Sequence, residues 1–154
     1  MRFTKSITII TTFLTILFAQ TANLTLTNYD TDLGSVDVYM VNDAPVGGFQ
    51  FEISGVSGIS TSGGTAAASG FTISTGGNTV LGFSFSGATI PAGEGVLTTI
   101  SGVFDGSDVC LSLGTGAISD SAGQALDVEF GDCVGDAPDY TVNSGSYYYT
   151  PAEL

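Results

Sequence analysis

The sequence predicts an all-β domain, a β-sandwich or jelly roll of about nine short strands. Three observations predict it. Apolar residues recur at every second position in segment after segment, with Gly, Ser, Asn and Asp between them. Helical periodicity is confined to the N-terminal leader. Hydrophobic residues make up 43% of the chain against 11% charged, with 10 Phe, so the 22 glycines punctuate a packed core and do not mark disorder. A chain of 154 residues holds one such domain, expected over residues 23–135.

Residues 1–22 read as a secretory signal peptide. Arg2 and Lys5 form a basic start, residues 7–18 are apolar and threonine-rich, and Ala19-Gln20-Thr21-Ala22 supplies small residues for cleavage. The run falls short of the roughly 20 residues that span a bilayer, so no membrane association is expected after cleavage.

The strands then follow in order. Residues 23–28 alternate as NLTLTN, with Leu24 and Leu26 inward. Asn23-Leu24-Thr25 is also an N-glycosylation sequon, which makes Asn23 a candidate acceptor in a glycosylating host. Residues 35–41 place Val36, Val38 and Met40 on one face, and Asn42-Asp43-Ala44-Pro45 is turn chemistry. Val46–Ile53, VGGFQFEI, is the best-patterned strand, with Phe49, Phe51 and Ile53 inward. Residues 55–70 are the loosest part, with Val56 and Ile59 dipping into the core, and residues 61–69 have little to bury and read as a loop. Phe71 and Ile73 face inward before the tight turn Gly76-Gly77-Asn78. Residues 79–86 set Leu81, Phe83 and Phe85 on one face and Gly82, Ser84 and Ser86 on the other. Gly82 marks a close approach of a neighbouring strand. Residues 96–104 slip in their alternation, as a β-bulge would make them. Val109, Leu111 and Leu113 share the inner side of the next strand, 117–120 is a short strand, and 126–130 closes the domain. Residues 136–154 carry four of the six tyrosines and read as a tail or an extra edge strand.

The charge is one-sided. Arg2 and Lys5 are the only basic residues, and all fifteen Asp and Glu follow Ala22. The exported chain therefore has no Lys, Arg or His, and a side-chain charge of −15. Nucleic acid and anionic membranes are excluded as partners by repulsion. Without a basic side chain there is neither a general base for a nucleophilic serine nor a cation to activate a thiol. Cys110 and Cys133 are expected to pair as a disulfide, worth roughly 3 kcal/mol in the chain-entropy description.

Four segments carry a resemblance. VYMVNDAPVGGFQFEI (38–53), GFTISTGGNTVLGFSFSGATIPAGEGVL (70–97), and the strands at 109–113 and 117–133 are similar to cohesin-like domains of large secreted proteins, many from marine organisms. The resemblance covers roughly residues 24–133. It implies a nine-stranded jelly roll and a non-catalytic role, with a dockerin-like protein or a glycan as the extracellular partner. No residue of the family's dockerin-recognition positions is carried over. The chain departs from scaffold cohesins in its disulfide and its lack of basic residues.

Other chemistry is local. Asp105 with Asp108, and Asp127 with Glu129 about 7 Å apart along one strand, are the carboxylate pairs a glycosidase would need, but no Trp or sugar cleft accompanies them. No enzyme activity is expected. Asp105, Asp108, Asp132 and Asp136 are the candidate calcium ligands, in a pattern unlike an EF-hand loop; no other cofactor is implied. Tyr147, Tyr148 and Tyr149 are a candidate binding patch. Two functions are expected in order: a secreted cohesin-like binding module, or a structural subunit of an extracellular fibre or layer. The second would self-associate through a free edge such as residues 24–27 or the tyrosine tail.

Overall fold

A computed structural model of the chain describes residues 19–135. The apolar run of the leader, Asp136 and Tyr147–149 lie outside the described residues. Within them run ten strands and one short helix. These are β1 (Thr21–Asp30), β2 (Ser35–Asn42), β3 (Val46–Ile53), β4 (Val56–Ser62), α1 (Gly64–Ala68), β5 (Thr72–Gly76), β6 (Thr79–Phe83), β7 (Gly93–Phe104), β8 (Leu111–Ser112), β9 (Ile118–Asp120) and β10 (Asp127–Phe130). They make two sheets, one ordered β10-β1-β2-β7-β4 and the other β5-β6-β3-β8, with β9 also paired to β3. This is the all-β sandwich the sequence predicts.

Alternation explains the packing. Leu24 and Leu26 from β1, Val36, Val38 and Met40 from β2, and Phe49, Phe51 and Ile53 from β3 are buried between the sheets. Phe49 stacks on Phe51 and Phe71 with ring centroids 6.0 and 5.9 Å apart, so the aromatic face of β3 is the centre of the core. β1 starts at Thr21, two residues before the expected domain start, and Ala22 belongs to the core.

Three local readings change and one holds. The 61–69 run is not all loop: Thr61 and Ser62 end β4, and α1 occupies Gly64–Ala68. Alanines have the highest helix propensity, and Ala66 is buried. Gly64, at φ +74°, lies against the Leu97 carbonyl where a Cβ has no room. In β7 the expected bulge is present. Val38 pairs with Thr98 and Tyr39 with Val96, leaving Leu97 as the extra residue. The bulge turns both Leu97 and Thr98 inward, and the buried Thr98 hydroxyl donates to the Ser62 carbonyl at 3.2 Å. The strand expected from Val109 shrinks to Leu111–Ser112; Val109 is buried but Leu111 only partly. Finally, residues 24–27 are a free edge only in part, since Leu24 is already paired on the side away from β2. β2 pairs along one side of β1, and β10 runs parallel to its first half on the other, Thr21 opposite Asp127 through Leu24 opposite Phe130. A fibre cannot add a strand where β10 already lies.

Candidate functional site

The orientation of β6 decides which face is available. Val80 and Gly82 point into the core, and Leu81 and Phe83 point out. The cause lies in β3, where Phe49 pairs with Gly82. The Phe49 ring fills the space above Gly82, so any Cβ there would fall inside the ring. The glycine expected to mark a close approach is thus the inward position, and the three large apolar residues are turned to solvent. Leu81 is 37% exposed and Phe85 85% exposed. Phe85, just beyond the strand, meets Phe83 edge-on with centroids 4.8 Å apart.

Around this ridge the outer face is flat and built from small residues. Gly48, Gln50 and Glu52 of β3 pair with Phe83, Leu81 and Thr79, and Thr72, Ser74 and Gly76 of β5 lie on the far side of the same rows. A shallow groove of about 310 Å³ runs between Leu81 and Phe83 on one bank and Thr115, Gly116, Ala117 and Ser119 on the other. Glu52 is the carboxylate of the β3 side of this face, and its head group lies against Gly114, held at φ +55°. Exposed aromatic and aliphatic side chains on a ladder-held surface are the makings of a protein contact.

A larger hollow, about 500 Å³, lies at one end of the other sheet between the β1–β2 turn and the end of β7. Leu33 and Val103 are exposed there, and Tyr29 meets Phe104 edge-on at 4.9 Å. Its walls are the β1–β2 turn and the end of β7, where Val103 and Phe104 are laddered to β4.

The disulfide joins Cys110 to Cys133 as expected. It works with a backbone bridge in which Val109 and Val134 exchange hydrogen bonds of 2.6 and 2.9 Å. Together they bring Asp108 beside Gly135, so two candidate calcium segments meet at one corner. Asp105 is turned to other work: one carboxylate oxygen accepts from both the amide and the hydroxyl of Ser107. These bonds, the hydroxyl's first, hold its carboxyl below the usual carboxylate value. Among the described residues no group of three or more His, Cys, Asp or Glu side chains comes together to hold a metal ion. Asp132 is described and Asp136 is not, so the four-carboxylate site is not assembled within the described residues.

The outer face of the β1 sheet has a different character. Asn23 is exposed on β1 between Val41 of β2 and Glu129 of β10, on a surface of threonines and carboxylates. Asp127 and Glu129 are exposed on the edge strand β10. At one end of this sheet, Asp43 receives the Thr21 amide on one oxygen at 2.7 Å and the Thr21 hydroxyl on the other at 2.9 Å. The amide bond first, then the hydroxyl, hold its carboxyl below the usual value. A depressed carboxylate stabilises the fold above its unfolded value of 3.8 and loses that contribution as pH falls through the folded value. Asp43→Asn is therefore expected to melt below the wild type at neutral pH, with the two melting curves converging on acidification. A constant gap from pH 7 down to acid unfolding would contradict the assignment.

No family model matches the chain, and no curated protein matches it. Among solved structures it is similar to a non-cellulosomal cohesin from the hyperthermophilic archaeon Archaeoglobus fulgidus, at 17% identity and a TM-score of 0.49, covering 71% of this chain and 86% of that one. It is also similar to a chain of a type I cohesin–dockerin complex from Clostridium thermocellum, at 8% identity and a TM-score of 0.47, covering 74% of this chain and 90% of that one. Cohesin domains are thus what this all-β sandwich is similar to.

Proposed function

We propose that the chain is an exported, non-catalytic binding module that holds a protein partner on the outer face of β5-β6-β3-β8. One observation carries this reading: β6 turns Leu81 and Phe83 to solvent, with Phe85 against them, where a monomer would gain stability by burying them. An apolar ridge on a rigid, flat, small-residue surface matches the centre of a protein interface, an anchor surrounded by polar rim. After the leader every charged side chain is acidic, so a partner gains from Lys or Arg around its own apolar patch. A dockerin-like module is the partner class that the cohesin resemblance implies. A glycan would stack on the same Phe83–Phe85 pair.

The test compares baits. Wild-type protein, a Leu81→Ser/Phe85→Ser variant and a Thr25→Ser/Thr27→Ser variant on the opposite sheet are immobilised and exposed to the extracellular fraction of the source culture and to a panel of dockerin modules. The substituted groups are outward-facing, so all three melt within a few degrees of one another. A partner kept by the wild type and the threonine variant, and reduced at least about tenfold on the β6 variant, is the expected result. Equal capture by all three removes the β6 face from the reading, and displacement by soluble polysaccharide replaces the protein partner with a glycan.

A further inference from the structure

We infer that the exported chain begins at Gln20 and that this residue closes on itself as pyroglutamate. The inference rests on the export reading above and fixes what that reading leaves open, the bond that is cut. β1 cannot lose its first residues without loss to the sandwich. Ala22 is fully buried, between Asn42 of β2 and Val128 of β10. Thr21 gives its amide and hydroxyl hydrogens to the two oxygens of Asp43, and its carbonyl accepts the Asp43 amide at 3.2 Å. Cleavage after Thr21 or Ala22 would strip one or both of these attachments. Ala19 and Gln20 precede the strand and are exposed. Leader peptidases require a small residue before the bond they cut. Ala19 is small and Gln20 is not, so the Ala19–Gln20 bond alone meets both the enzyme's requirement and the sandwich's.

Cleavage there creates an N-terminal glutamine. Its new α-amine attacks Cδ of its own side-chain amide. The N–Cδ bond forms, the Cδ–Nε2 bond breaks, and the nitrogen leaves as ammonia; nothing is oxidised or reduced. Gln20 is exposed, so its side chain is free to swing back to the amine. Its backbone carbonyl accepts the Asp127 amide at 2.8 Å, and ring closure touches neither atom. The pairing of β1 with β10 therefore survives the modification. The ring removes the one ammonium that cleavage would otherwise leave, and with it the substrate group of aminopeptidases, at the strand that anchors the sheet.

The test is mass spectrometry of the full chain secreted behind its own leader. The chain after Lys5 has no site for trypsin, so a protease cutting before aspartate is used, which releases the segment ahead of Asp30. The expected peptide starts at Gln20, is lighter than the linear form by one ammonia, resists sequential degradation from its N-terminus, and yields a Thr21 start after pyroglutamyl aminopeptidase. Gln20→Ala, cut at the same bond, keeps the wild-type melting temperature and has a free amine. A start at Thr21, Ala22 or Asn23, or a persistent linear Gln20, overturns the inference while leaving export intact. A secreted fraction lacking the protein, with cellular chains still starting at Met1, overturns the export reading itself.

Discussion

Replacing Gly82 with alanine is expected to destabilise the sandwich by about 3 kcal/mol, at the upper end of overpacking penalties. The added methyl would fall inside the Phe49 ring. That ring is 2% exposed and stacked between Phe51 and Phe71, so it has no unfilled space to retreat into. For a domain of this size the loss lowers the melting temperature by roughly 10 °C or more. A second substitution separates packing from backbone effects. Phe49→Leu alone costs on the order of 1–2 kcal/mol, but combined with Gly82→Ala it restores some of the stability, because the ring that collides is gone. Urea unfolding of the four proteins of the cycle measures the coupling. Additive losses, or a Gly82→Ala protein as stable as the wild type, would show that β6 is not seated by Phe49.

Removing the disulfide is the second large effect. Cys110→Ser with Cys133→Ser opens a covalent loop spanning a sequence separation of 23 residues, and a loss of about 3 kcal/mol is expected from the freed unfolded chain. The loss has a local signature as well. Val109 and Val134 bridge each other directly beside the cystine, so their amides should exchange with deuterium faster in the variant than those of β2, which sits inside its sheet. A variant with the wild-type melting temperature would mean that the backbone bridge alone holds the corner. The same change in β2 exchange as in Val109 exchange would mean a global effect only.

The sandwich is legible in the sequence because its signal is local. Most strands announce themselves by a period of two, and β3 does so from Phe49 to Ile53, past a register shift between Val46 and Gly48. The side that a strand presents to the core is not local. The alternation of residues 79–86 states that Leu81, Phe83 and Phe85 share a face, and nothing in those residues states that the face is the outer one. That depends on Phe49, more than thirty positions earlier, occupying the volume above Gly82. A glycine among alternating large residues, opposite an aromatic strand, is the available signal. The helix at Gly64–Ala68 is too short to show a helical period. The bulge at Leu97 is visible as a slipped alternation because it moves burial from one parity to the other. The acidic segments around Asp108 and Asp132 are separate in sequence; the cystine and the Val109–Val134 bridge bring them to one corner without making a cation cage among the described residues. Asn23 is accessible for modification, on the sheet opposite the proposed docking face.

The parallel pairing of β1 with β10 has a mechanical consequence. Both strands start at the same end of the sandwich, Thr21 beside Asp127, so the polypeptide enters at one end and leaves β10 heading for the other. Tension applied through the chain would slide these two strands lengthwise past each other. Their hydrogen bonds would then carry the load side by side, whereas in a zipper they would break in succession. β10 also lies within the cystine-closed segment between Cys110 and Cys133, so a pull from beyond Cys133 is shared with the β7–β8 connection before β10 can peel. Loaded lengthwise, this pair of strands resists sliding better than it would resist peeling.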